Sequence, residues 1–124
     1  MDKLNITESE DTPQIILDAE SGKLEISKKS FPEDAIAFYA PVFEWLRKYA
    51  QHPNAATTFS FKMEYFNTAS SKQIYKILSL LEAISKTSKV EIYWHYHKQD
   101  RDMLASGERY AKLMSNLKIN FVSY

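Results

Sequence analysis

The sequence predicts an α/β domain of two layers, a mixed sheet of about five strands with three main helices chiefly on one face. Three observations carry this. Beyond residue 30 the pattern alternates between period-two stretches and stretches of helical period. Each strand candidate shows one apolar face, whereas parallel sheets covered on both sides usually read as continuous apolar runs. Ahead of the alternation, two short strand candidates flank a turn-forming run and predict an antiparallel hairpin.

The segment 1–12 is polar and carries Asp2, Glu8, Glu10 and Asp11, which reads as a loosely held, flexible tail. Residues 13–124 then form one domain, since 124 residues suffice for a single core and not for two. Ile15 to Asp18 and Lys23 to Ser27 are the hairpin strands, joined by Ala19-Glu20-Ser21-Gly22. The first helix is predicted to open near Ser30-Phe31-Pro32-Glu33, where serine and a later glutamate suggest a capping box. Its inward stripe is Ile36, Tyr39, Phe43 and Leu46, and it ends near Gln51. Pro41 interrupts it, and because Ala40 is a poor cap for a fresh start, one kinked helix is expected.

The alternation continues with a strand from Thr57 to Tyr65, a helix from Ser70 to about Lys86, and a strand from Val90 to Tyr96. A helix from Asp100 to about Leu113 and a strand at Ile119 to Val122 complete it. In the first of these strands Phe59, Phe61, Met63 and Tyr65 point one way, and Thr58, Ser60, Lys62 and Glu64 the other.

Composition narrows the function. The formal charge is zero, so neither a nucleic-acid footprint nor a membrane-seeking basic face is indicated. The lack of cysteine excludes thiolate metal sites and a cysteine nucleophile, and fits a reducing cytoplasm. No apolar run approaches a membrane span, and Met1-Asp2-Lys3-Leu4-Asn5 lacks the apolar core of a secretory signal.

The chemistry concentrates at Tyr65-Phe66-Asn67-Thr68-Ala69-Ser70-Ser71, where the strand pattern gives way to the helical one. Ser70 with Gln73 three residues on is expected to cap the helix, with Asn67 and Thr68 in the preceding turn. A phosphate would suit such a place, where unpaired N–H groups meet the positive end of a helix dipole. Hydroxyls and asparagine are also common at helix starts for structural reasons, so the residues alone favour a plain helix start. An enzyme or ligand-binding alternative rests on His95 and His97, two apart on a strand with Glu91 and Tyr93 on the same face. Two imidazoles are too few for a closed metal site, so no metal or other cofactor is expected.

The runs Gly22-Lys23-Leu24-Glu25-Ile26-Ser27, Ser30-Phe31-Pro32-Glu33-Asp34-Ala35, Val42-Phe43-Glu44-Trp45-Leu46, Glu64-Tyr65-Phe66-Asn67-Thr68, Trp94-His95-Tyr96 and Asp102-Met103-Leu104-Ala105-Ser106-Gly107-Glu108 resemble the SiaC-like family of bacterial phosphoproteins. The resemblance extends from about Thr12 to Phe121, and Phe66-Asn67-Thr68 is its most specific part. It implies a variation on the anti-sigma-factor antagonist (STAS) fold. It also implies a non-catalytic partner switch in which Thr68 is the phosphoacceptor, supported by Asn67, Ser70 and Ser71. The implied partners are a cognate protein kinase, a PPM-type phosphatase and an effector such as a diguanylate cyclase, bound by the unphosphorylated form.

Overall fold

A computed structural model describes residues 1–124. Its elements are β1 (Leu4–Ile6), β2 (Gln14–Asp18), β3 (Lys23–Ser30), α1 (Ala35–Gln51), β4 (Ala56–Phe66), α2 (Thr68–Ile84), β5 (Lys89–Tyr96), α3 (Arg101–Leu113) and β6 (Ile119–Ser123). All strands join one sheet whose spatial order is the chain order. β1 and β2, and β2 and β3, pair antiparallel, and every later neighbour is parallel. A chain that steps across a sheet in one direction through right-handed crossovers leaves its helices on a single face. The mixed α/β sheet, the N-terminal hairpin and the three helices are as expected. The strand count is six, not about five. The extra strand lies in the segment read as a tail, where Leu4 and Ile6 register against Leu17 and Ile15.

The core lies between sheet and helices. Ile15 and Leu17, Leu24 and Ile26, Phe59, Phe61 and Met63, and Ile92 and Trp94 supply the sheet side. Tyr39, Val42 and Leu46, then Ile74, Ile77 and Leu81, then Met103 and Tyr110 supply the helix side. Burying each large apolar side chain is worth about 1.5–3 kcal/mol. The opposite sheet face stays polar, with Glu25 paired to Lys23 at 3.7 Å and to Lys62 at 3.4 Å.

Three local expectations are corrected. The cap of α1 is Asp34, whose carboxylate accepts from the Ala37 N–H at 3.1 Å, whereas Ser30 is the last residue of β3 and fully buried. The buried stripe of α1 starts at Ala35, and Ile36 is 69% exposed. Pro41 does lie inside one helix, as expected; it carries no N–H to offer the Ala37 carbonyl. The third correction concerns the end of β4. Lys28 registers with Met63 but Lys29 with Tyr65, so Glu64 is an extra residue, and Lys28 sits at φ +77°. An inserted residue resets the alternation of a strand. Tyr65, read as inward, turns out and is 51% exposed against Phe31, while Phe66 turns in and meets Trp94 edge-on at 6.2 Å.

Candidate functional site: the first turn of helix α2

The reset at Glu64 sets the chain's exit from the sheet. Asn67 follows immediately with extended backbone (φ −86°, ψ 178°), and its N–H donates to the Ser30 carbonyl at 3.1 Å. Its side-chain oxygen accepts from the Ser70 N–H at 2.9 Å, so Asn67 is the cap of α2. The sequence assigned that role to Ser70. Ser70 is instead fully buried, and its hydroxyl accepts from Ser30 Oγ at 2.8 Å. Ser30 has one hydrogen, given to Ser70, so Tyr39 donates to Ser30 across 2.6 Å. This chain of three buried hydroxyls fastens β3, α1 and α2 to one another beneath the turn. Burial pushes the Tyr39 phenol up to about 12, against the smaller opposing effect of its serine partners.

Thr68 is the first residue of α2 and is exposed. The first intrahelical bond runs from the Ser71 N–H to the Asn67 carbonyl at 2.9 Å, which leaves the N–H groups of Thr68 and Ala69 without an intrahelical acceptor. Ser71 is half-buried, and its hydroxyl donates to the Thr68 carbonyl at 2.7 Å. The Ser71 carbonyl accepts from Tyr110 of α3 at 2.8 Å, which ties the turn to the next helix. Of the four residues singled out from sequence, Thr68 presents a free hydroxyl to solvent, Asn67 and Ser71 shape the turn, and Ser70 faces the core. The sequence gives no sign that Ser30 and Tyr39 belong to this turn, because Ser30 meets Ser70 from 40 residues away with no local signal in between.

The second candidate set lies on the open sheet face. His95 and Glu91 belong to β5, but that strand ends at Tyr96, so His97 stands just beyond it. There the Gln99 N–H donates to His97 Nδ1 at 3.1 Å, and the ring packs edge-on to Tyr124 at 5.7 Å. Glu91 is engaged by the Tyr93 hydroxyl at 2.7 Å. Both histidines border a polar basin of about 790 Å³ together with Glu25 and Lys62. Burial, then the Lys62 charge, lowers the His95 pKa. No three His, Asp or Glu side chains come together there in a way that could hold a metal ion.

Fold and site together define a single-sheet α/β domain that presents an exposed threonine on a well-capped helix start. The family model for SiaC family regulatory phosphoproteins matches residues 6–124. The chain therefore belongs to the SiaC family of regulatory phosphoproteins. It is 26% identical over 111 residues to an uncharacterized protein of Pseudomonas aeruginosa strain UCBPP-PA14, covering 89% of this chain and 88% of that one. The crystal structure of apo-SiaC from P. aeruginosa superposes with a TM-score of 0.83 at 28% identity, over 99% of this chain and 98% of that one. A crystal structure of the P. aeruginosa diguanylate cyclase SiaD in complex with its activator SiaC also matches in fold. Its TM-score is 0.89 at 24% identity, over 98% of this chain and 99% of that one.

Proposed function

We propose that this protein is a non-catalytic partner switch of the cytoplasm whose state is set by phosphorylation of Thr68. A cognate kinase adds the phosphate, a PPM-type phosphatase removes it, and the unmodified form binds an effector such as a diguanylate cyclase. The observation that carries this reading is the division of labour among the hydroxyls of the turn. Thr68 is exposed, Ser70 is buried, and Ser71 is bonded to the backbone. The SiaC relative crystallised with a diguanylate cyclase supports the choice of effector.

The physics of the turn fits such a switch. A phosphothreonine carries about −1.5 to −2 charges and strong acceptor oxygens. At position 68 these lie beside two N–H groups free of intrahelical bonds and the positive end of the α2 dipole, so the modified domain stays folded. A partner that packs on the neutral threonine would have to bury that charge, at a cost of several kcal/mol when it is left uncompensated. Binding is thereby lost with no rearrangement inside the domain. Co-expression with the cognate kinase followed by phosphopeptide mapping tests the assignment. Phosphate on Thr68, abolished by Thr68→Ala, is the expected result. Phosphate on Ser71 or on any other residue in its place would overturn it.

A further inference from the structure

Helices α2 and α3 leave a groove of about 490 Å³ between them. Its walls include Phe66, Tyr75, Tyr110 and Leu113. Tyr75 is 42% exposed and Leu113 60%, so two large apolar side chains on adjacent helices face solvent at one place. Lys72, Lys76 and Arg109 stand around them, and no acidic residue borders the groove. The ion pairs of the protein all lie elsewhere, between Lys23 or Lys62 and Glu25 and between Lys48 and Glu44. Arg109 donates only to the Ser106 hydroxyl at 3.0 Å. In a chain of zero net charge, three unpaired cations around an exposed apolar pair are a local excess of one sign.

We propose that this groove docks an acidic protein segment bearing an apolar anchor. The anchor would cover Tyr75 and Leu113, and carboxylates on either side of it would meet the three cations in charge-assisted hydrogen bonds. A nucleic acid fits less well. Three cations neutralise few phosphates, and the rest of the surface is balanced in charge.

The groove is continuous with the turn at Thr68. Tyr110 in its wall holds the Ser71 carbonyl, and Lys72 lies four residues beyond Thr68 on the same helix face. A consequence follows that rests on the reading of Thr68 given above. Phosphate on Thr68 and the carboxylates of a docked segment compete for Lys72, so modification weakens docking through a shared cation as well as through burial of charge.

The docking site is tested by fluorescence anisotropy with three labelled probes. One is a helical peptide with leucines at i, i+4 spacing flanked by glutamates, the second is the same peptide with glutamines, and the third is single-stranded oligothymidylate. The acidic peptide is expected to bind best, more weakly at high salt, and to lose about tenfold or more in affinity to the double variant Lys76→Glu, Arg109→Glu. Leu113→Ser should also weaken it, with the charges intact. All three substituted side chains are on the surface, and a thermal melt confirms that each variant is folded. Failure of the acidic peptide to bind, equal binding by the charge-reversed variant, or binding of oligothymidylate in its place would each overturn the proposal. No kinase or cyclase enters these measurements, so their failure leaves the Thr68 reading standing, and phosphate found at another residue leaves the groove standing.

Discussion

Gly107→Ala sets helix propensity against packing, with opposite signs. Alanine is favoured over glycine in a helix interior by about 1 kcal/mol, so α3 taken alone would gain. A Cβ at position 107 would stand 2.6 Å from both Trp94 Cδ1 and Trp94 Nε1 and 2.8 Å from Phe121 Cε1. These separations are about 1 Å inside ordinary van der Waals contact. Phe121 is 38% exposed and can swing away. Trp94 cannot, because it is fully buried, lies 5.4 Å from the Phe61 ring and 5.6 Å from that of Tyr110, and donates its indole N–H to the Met103 carbonyl at 2.9 Å. Overpacking of this kind costs about 1–3 kcal/mol. Loss of the indole hydrogen bond leaves a buried donor unsatisfied, for about 1–3 kcal/mol more. With the helix gain set against these, the variant should be less stable by about 3 kcal/mol, which for a chain of this size lowers Tm by about 12 °C. Thermal melts by circular dichroism and urea denaturation would read this directly. An unchanged or raised Tm would refute the close docking of α3 on Trp94.

Asn67→Ala removes the side chain that caps α2 and should lower stability by about 1 kcal/mol in urea denaturation, whereas Asn67→Asp, which keeps the acceptor, should lose far less. Equal stability of Asn67→Ala and the parent would show that the cap lies elsewhere. Alkaline pH tests two of the buried phenols, since burial raises both Tyr39 and Tyr110 from 10.0 to about 12. A raised native pKa gives stability that is complete below the unfolded value near 10 and is lost as pH rises through about 12. Absorbance titration should show these two tyrosines ionising late, together with unfolding, and Tyr39→Phe should move the alkaline unfolding midpoint upward. Titration of every tyrosine near 10 in a protein still folded would contradict the burial.

The parts of the fold legible in the sequence were those fixed by long periodic stretches. The alternation in β4 and the helical repeat of α2 identify their elements because burial of one face repeats over many residues. β1 has only three residues, too few for a period, and is held by pairing with residues 15–17, which local pattern does not encode. Tyr65 is placed on the wrong face because period-two counting assumes an unbroken register, and the extra residue Glu64 shows itself only against β3. The same cause underlies the site. Serine with a glutamate or glutamine three residues later signals a cap at both Ser30 and Ser70, yet these two hydroxyls meet each other in the core, while Asp34 and Asn67 serve as caps. Position 68 could be singled out because the boundary between strand and helix and the resemblance of the Phe66-Asn67-Thr68 run coincide there. The groove between α2 and α3 was not legible, because Tyr75, Leu113 and Arg109 converge only once the two helices lie side by side on the sheet.

The central claim is that charge on Thr68 governs partner binding while the domain stays intact. Isothermal titration of a candidate diguanylate cyclase with unmodified protein and with protein stoichiometrically phosphorylated at Thr68, each checked by thermal melt, tests it most directly. Binding by the unmodified form, an affinity loss of at least about tenfold (1.4 kcal/mol) on phosphorylation, and a folded domain in both states are the predicted outcome. Equal affinity in the two states, or unfolding on modification, would contradict it.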